Sequence, residues 1–362
     1  MATAKIADIN EILKSKIRKV NPMLDENLPR FSFSKLDCYI QCPFKYNVKY
    51  NQKLFPEQKA VYLDLGTLAH KILELAGQAE IKGEPFDYEY GKTIFREGIV
   101  ETTDKGDETI IGFEKIKEKY PKNIFTDADN ASGMNYMEKI DIFFRDVVPT
   151  RYPNKPQEWT TIATEKKFEF VYQYGTDKRD AVRFYGFIDK VQQDLEGNIR
   201  VVDYKTGKAK FRDEDVKTSL QHSIYNMACY LMYGKLPVEN IYDFIFIDVM
   251  QNACSKGYMK RALKKIDNVF AQIRESRKSG YKPNPSPLCY FCEYTEHNPS
   301  VEAEYQKCEY YSLWTPTNKT FAKNKEWGEE YRQKPSQTVQ NGMGWMFGGS
   351  STPAPKKRQI SF

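Results

Sequence analysis

No stretch of this 362-residue chain approaches the roughly 20 consecutive apolar residues needed to cross a bilayer, and no N-terminal apolar segment has the character of a secretory signal. Those absences argue against membrane-spanning and exported classes, so the expectation is a soluble, cytoplasmic protein in a reducing compartment, with no membrane partner. Histidine is scarce, with three in the whole chain. No internal repeat stands out, which argues against a solenoid or propeller. From Tyr331 onward there is no carboxylate, while Arg332, Lys334, Lys356, Lys357 and Arg358 are positive and Gly, Ser and Pro are frequent. Such a composition cannot bury enough apolar surface to order itself and reads as a flexible basic tail. Over the full chain 55 basic residues face 49 acidic ones, a net charge of +6 that permits a polyanionic partner without demanding one. The 40% hydrophobic content suffices for a sizeable core.

The most informative stretch is Asp203-Tyr204-Lys205-Thr206-Gly207, which ends the apolar run Ile199, Val201, Val202 and follows Gly186-Phe187-Ile188-Asp189. It reads as two strands joined by a turn at Glu196-Gly197-Asn198, and alternation along a strand sends Asp203 and Lys205 to one side. Two carboxylates on neighbouring strands beside an ammonium suit metal-assisted phosphodiester hydrolysis. The acids hold a hard divalent cation, the cation polarises the phosphate and lowers the pKa of a water, and the lysine orients that water or offsets charge. Downstream, Val216 to Tyr233 has apolar positions at helical spacing, and Gln221 and Tyr225, four apart, share one face. Upstream, Gly66-Thr67-Leu68-Ala69-His70 opens a second helical pattern through Leu68, Ile72, Leu75 and Ala79. Glu165 lies in the alternating run Ile162 to Val171 that precedes the Asp189 strand.

This ordered set resembles the RecB-like branch of the PD-(D/E)xK nuclease superfamily. The resemblance spans Gly66 to Tyr225: a helical histidine, a glutamate-bearing strand, a Gly-x-x-Asp strand, an Asp-x-Lys strand and a Gln-x-x-x-Tyr helix. It implies that His70, Asp189 and Asp203 bind Mg²⁺ or Mn²⁺ and that Lys205 is the catalytic lysine. Gln221 and Tyr225 would position the lysine or the nucleic-acid strand, and Glu165 would reach the active site. The activity implied is that of a metal-dependent DNA nuclease, an exonuclease threading single-stranded ends in recombination, repair or replication. A structure-specific endonuclease and a non-catalytic DNA-end-binding subunit are the alternatives. Gly207-Lys208 lacks the spaced first glycine of a phosphate-binding loop, so the chain is not expected to unwind DNA by itself.

Seven cysteines occur: Cys38, Cys42, Cys229, Cys254, Cys289, Cys292 and Cys308. In a reducing compartment, paired cysteines point to metal binding rather than disulfides. Cys289-Tyr290-Phe291-Cys292 follows Pro283, Pro285 and Pro287, a rigid loop presenting two thiols. The stretch from Phe31 through Cys42-Pro43-Phe44-Lys45-Tyr46 looks like the first helix of RecB-like nucleases of the AddB type. By that resemblance, shared by Exonuclease V and the CRISPR adaptation nucleases, Cys42, Cys289, Cys292 and Cys308 would hold a [4Fe–4S] cluster. Zinc is the alternative metal and Cys38 the rival N-terminal ligand. Fifteen residues separate Cys292 from Cys308, more than the family usually has. Cys229 and Cys254 read as small buried hydrophobes.

The expected fold is mixed α/β, an αβββαβ restriction-endonuclease-like core with an added helical lobe and an iron–sulfur staple. Residues 1–29 read as a charged, partly helical leader, and 30–82 as helices carrying the first cluster cysteine and the histidine. Residues 83–158 read as a mainly helical insertion, 159–280 as the nuclease core, 281–313 as the cysteine-bearing region and 314–362 as the tail. Strands are expected near 160–173, 181–194, 199–205 and 242–249, and a helix at 259–276. Lys45 to Phe55 interleaves lysine with aromatic rings, which suits either stacking on unpaired bases or inward packing. The last four residues, Gln359 to Phe362, faintly resemble clamp-binding peptides. A sliding clamp, a helicase or another replication protein is therefore a candidate partner through the tail, beside DNA itself.

Overall fold

The computed structural model describes residues 8–308 except 57–60, 104–105, 130–131, 156, 254–257, 287, 290–291 and 296–302. Cys254 and the basic tail with its terminal peptide therefore lie outside the described residues. In chain order the strands are β1 (Ile17–Lys19), β2 (Arg30–Phe31), β3 (Gly98–Thr103), β4 (Gly106–Ile111) and β5 (Thr160–Gln173). They continue with β6 (Ala181–Gln193), β7 (Ile199–Lys205), β8 (Glu239–Phe244) and β9 (Val249–Ala253). The central sheet runs β1-β5-β6-β7-β8-β9, with β2 added against β6. Its β5-β6-β7 meander is antiparallel, while β7 and β8 pair in parallel across the Leu220–Tyr233 helix. This is the mixed α/β core expected from the sequence.

Each face of the sheet is covered by helices, giving two main apolar clusters. On one face Phe168, Phe170, Phe184, Ile188, Val191, Ile199 and Val201 pack with the Leu220–Tyr233 and Met259–Ser279 helices. On the other, Val202 and Tyr204 join the Val61–Lys82 helix and a lobe built around Phe95, Phe113, Phe143 and Tyr152. The long Val61–Lys82 helix lies close to the strands because two glycines leave room. A Cβ on Gly77 would stand 2.2 Å from Thr164 Cγ2, and one on Gly66 would stand 3.1 Å from Thr206 Oγ1.

Two segments differ from the sequence-based expectation, and a third adds a hairpin to it. The residues read as a charged leader enter the core: Ile9–Lys16 is a helix burying Leu13, and β1 extends the sheet beside β5. Ile9, Ile12, Leu13 and Ile17 fall at helical spacing, and that stripe outweighs the surrounding charge. The region 83–158 is mostly helical but also carries the β3–β4 hairpin, turned at Gly106 with φ 107°. The strand expected at 242–249 ends at Phe244. After a turn in which Asp248 takes φ 48°, the chain returns antiparallel as β9.

Replacing Gly77 with Val should force the histidine helix away from Thr164. An overpacking cost of about 1–3 kcal/mol is expected, read as a lower denaturation midpoint at an unchanged slope with denaturant.

Candidate active site

The site forms where the sheet splits. β6 and β7 pair from Gln193↔Ile199 to Lys190↔Val202 and then separate. The next residues on the two strands are Asp189 and Asp203. Beyond the fork β7 continues along β8 alone, with Asp203↔Tyr242 and Lys205↔Phe244, while β6 continues along β5. The Tyr204 amide, which has left β6 as a ladder partner, donates to Asp189 Oδ2 at 2.7 Å. The carboxylate thus satisfies a backbone group that the diverging strand would otherwise leave bare.

A second irregularity sits at the same level. Ile188 and Val191 both belong to the cluster beneath the Leu220–Tyr233 helix, so the strict alternation of β6 slips by one residue at Asp189–Lys190. On β5, Thr164 pairs with Lys190 and Lys166 with Ile188, and Glu165 between them takes φ 41°. A left-handed conformation at a non-glycine strand residue costs energy and is concentrated at functional sites. Here it turns the Glu165 carboxylate toward the histidine helix. His70 Nδ1 lies 3.7 Å from Glu165 Oε1 and 3.9 Å from Asp189 Oδ2. One potential ligand atom from each of His70, Glu165 and Asp189 falls within 4.8 Å of the other two, a spacing that one metal ion can bridge. The His70 ring also meets Tyr204 edge-on at 5.7 Å.

Asp203 lies outside that triplet and faces the other helix. Its Oδ2 pairs with Lys205 Nζ. Its Oδ1 accepts from Gln221 Nε2 at 2.8 Å and from the Tyr225 hydroxyl at 3.3 Å. Gln221 closes the network by accepting from Lys205 Nζ at 3.2 Å and donating to the Tyr225 hydroxyl at 2.9 Å. The two same-side residues of the Asp-x-Lys strand and the two same-face residues of the Gln-x-x-x-Tyr helix therefore meet as one hydrogen-bonded group. Against the expected His70, Asp189 and Asp203 set, the triplet holds Glu165 where Asp203 was expected, with Asp203 one strand over.

Electrostatics follow from burial. Desolvation raises Asp189 above the usual carboxylate range although His70 and Lys205 oppose it, and raises Asp203 although Lys205 opposes it. Burial pulls His70 down, but Asp189 and Glu165 outweigh it and the imidazole ends above its ordinary value. Acids held this way lack positive charge, which is the condition a bound cation corrects. Sequence reasoning missed Tyr204 as the amide that orients Asp189, since a backbone contact leaves no compositional signal. It also missed His222, 2% exposed, whose ring nitrogens have no hydrogen-bond partner among the described residues. That ring stacks on Tyr242 at 4.0 Å, and burial lowers its pKa to about 4, keeping it neutral.

The cysteines divide into two groups. Cys38 and Cys229 are buried in the apolar core. Cys42 ends the Phe33–Gln41 helix, and its Sγ accepts from the amides of Lys45 at 3.5 Å and Asn284 at 3.4 Å. Cys289 Sγ accepts from the Ser286 amide at 3.3 Å, and the Cys292 amide donates to the Cys289 carbonyl. Cys308 pairs with Thr295 and, with Cys292, packs against Val48 and Tyr294. Burial pushes the Cys289 thiol up to about 12, with Cys42 and Cys308 adding to the rise.

The sequence pattern of the PD-(D/E)XK nuclease superfamily matches residues 30–297, and the chain belongs to that superfamily. Among curated proteins it is similar to a subunit of the ATP-dependent helicase/deoxyribonuclease of Clostridium perfringens (strain SM101 / Type A), 26% identical over 218 residues. That alignment covers 56% of this chain and 17% of the relative. The corresponding protein of Clostridium novyi (strain NT), which carries the same name, is 26% identical over 225 residues, covering 59% of this chain and 18% of the relative. That of Clostridioides difficile (strain 630) is 24% identical over 226 residues, again covering 59% and 18%. The chain thus spans under a fifth of the length of these relatives. No helix among the described residues is long and apolar enough to cross a membrane.

Mg²⁺ or Mn²⁺ should raise the unfolding temperature, because a ligand that binds only the folded state stabilises it, by about 2.7 kcal/mol at a hundredfold excess over Kd. Glu165→Gln and His70→Ala should each shrink that rise in thermal melts. The rise should also fade as pH falls, since the raised acids and the imidazole must give up protons to bind metal.

Proposed function

We propose that this protein is a metal-dependent DNA nuclease that hydrolyses phosphodiester bonds as an exonuclease threading single-stranded ends. The observation that carries the reading is the meeting of the His70, Glu165 and Asp189 ligand atoms beside the Asp203–Lys205 pair at the fork. His70, Asp189 and Asp203 would be ligands, with Glu165 added from β5. A cation held there would polarise the phosphate and activate a water. Lys205 would orient that water or offset charge in the transition state, and its hold on both Asp203 and Gln221 fixes the ammonium for that task. Gln221 and Tyr225 keep Asp203 from turning. The single-strand preference and the work in recombination, repair or replication are inferred from the resemblance to RecB-like nucleases, and the likeness to helicase/deoxyribonuclease subunits supports DNA as the substrate. The same likeness supports a helicase as partner.

We also infer that Cys42, Cys289, Cys292 and Cys308 hold a [4Fe–4S] cluster, with zinc as the competing metal. The four cysteines come from both ends of the described chain and supply the ligand number such a cluster takes, and two of the thiols accept backbone amides. Bound metal would reverse the burial penalty that now favours the thiol form.

Lys205→Ala should leave the melting curve near that of the parent and reduce cleavage of end-labelled single-stranded DNA at least about a hundredfold. Mononucleotide or short products from linear DNA, with circular DNA spared, would support the exonuclease; cleavage of circles would support an endonuclease. A parent protein that binds DNA and leaves it intact with either metal would instead support a non-catalytic role at DNA ends. After anaerobic purification, a broad visible absorbance with bound iron and sulfide is expected. Cys292→Ser should lose that colour together with stability, whereas a colourless protein with one equivalent of zinc would reject the cluster.

A further inference from the structure

The open edge of β6 continues away from the fork. β7 leaves β6 after Lys190, and β2 joins the same edge only at Arg183 and Phe184. Between them, residues 185–189 have β5 on one side and no strand on the other among the described residues. Phe184 and Ile188 face the core, so Tyr185 and Phe187 project to the side that carries Asp189. Phe187 is 50% exposed, an unusual state for a phenylalanine in the middle of a long strand. Two residues of strand separate each side chain from the next, about 7 Å, so the rings form steps leading from the ligand cluster.

Cations and further rings extend the line. The Arg30 guanidinium lies 4.3 Å from the Tyr185 ring centre and is steadied by Glu169 at 2.9 Å. Lys35 Nζ donates to the Arg30 carbonyl at 3.0 Å and lies 5.5 Å from the Tyr50 ring. Tyr50 meets Phe55 edge-on at 6.2 Å, and Phe55 is 55% exposed. Lys167, exposed, stands opposite Phe187 on β5. Of the rings in the Lys45–Phe55 stretch, only Tyr46 is fully inward, at 2% exposure. Aromatic rings interleaved with fixed cations are the features by which proteins hold an unpaired nucleic-acid strand.

We propose that Phe187 and Tyr185, continued by Arg30, Lys35, Tyr50 and Phe55, form a track on which the bases of one unpaired DNA strand stack while the phosphate at its end reaches the Asp189 fork. This rests on the nuclease reading above and names how that site would select single strands. A paired base cannot offer its face to a side chain without leaving its stack, so the track favours unpaired ends. The ring nearest the ligand cluster, Phe187, acts as a positioning residue.

The test uses the full chain with Ca²⁺ in place of Mg²⁺ or Mn²⁺ for binding, and Mg²⁺ or Mn²⁺ for cleavage. Single-stranded oligonucleotides carry 2-aminopurine, or one abasic site, at successive positions from the end. The parent should quench 2-aminopurine at one position near the end, and an abasic site there should weaken binding. Phe187→Ala should keep the parent's melting temperature, abolish that quench and raise KM roughly tenfold with kcat within about twofold. Phe187→Trp should restore both readouts. Applied to the abasic oligonucleotide, Phe187→Ala should add no further loss, because the partner ring has nothing left to stack on. A Phe187→Ala protein that binds and cuts like the parent, or whose loss is the same on the abasic oligonucleotide, would overturn the track and leave the nuclease reading standing. A parent that neither binds nor cuts single-stranded DNA would overturn both.

Discussion

The site depends on one departure from regular sheet geometry, the parting of β6 and β7 between Lys190↔Val202 and the acids that follow. A continued ladder would have tied up the Tyr204 amide and held Asp189 and Asp203 on adjacent paired strands with their side chains directed by the pleat. Because the strands part, the amide is available to Asp189 at 2.7 Å. That bond fixes the carboxylate at the mouth of the opening, while Asp203 turns toward the helix that supplies Gln221 and Tyr225. The opening is stabilised by what fills it: one charge-assisted hydrogen bond on one side and a closed network of four polar side chains on the other.

Such an arrangement concentrates like charge. Asp189, Glu165 and Asp203 approach one another at a partly buried site, and burial moves both aspartates toward their neutral forms. His70 and Lys205 are the compensating groups, each delivered by a different packing solution. Lys205 comes from the same strand as Asp203 through simple alternation. His70 comes from a helix that reaches the sheet only because Gly66 and Gly77 let its backbone approach Thr206 and Thr164. A metal ion bound beside His70, Glu165 and Asp189 would add positive charge to that balance.

Much of this was legible in the sequence because it obeys local rules. The β5, β6 and β7 strands are marked by alternating or continuous apolar residues, and the β6–β7 turn by Gly197, which takes φ 77° with the Asp194 carboxylate capping Asn198. The four-residue spacing of Gln221 and Tyr225 put both on Asp203 for the same reason. What was hidden arises from tertiary packing. The φ of 41° at Glu165 breaks the period on which strand reading relies, so the glutamate's arrival beside His70 could not follow from alternation. The edge strand β1 was hidden by its charged side chains. The β3–β4 hairpin, with β4 mostly exposed, has too weak an apolar pattern to distinguish it from the helices around it.

The cysteine region bears on the fork through chain continuity. β2 ends at Phe31, the Phe33–Gln41 helix follows at once, and Cys42 is its C-cap. Anything that anchors Cys42 therefore anchors the strand that bounds the far end of the opening in β6. Protein contacts already contribute: Asn284 donates its amide to Cys42 Sγ and its side chain to the Gln41 carbonyl, and Tyr39 hydrogen-bonds Ser276 at 2.7 Å. These bonds link the Phe33–Gln41 helix to Asn284, just before Cys289 and Cys292, and to the Met259–Ser279 helix. A metal joining the same thiols would close a loop that contains β5 to β9 of the sheet, and closing a long loop removes more freedom from the unfolded chain than closing a short one. A metal held there would couple the gap between β2 and β7 to residues far from Asp189 in sequence.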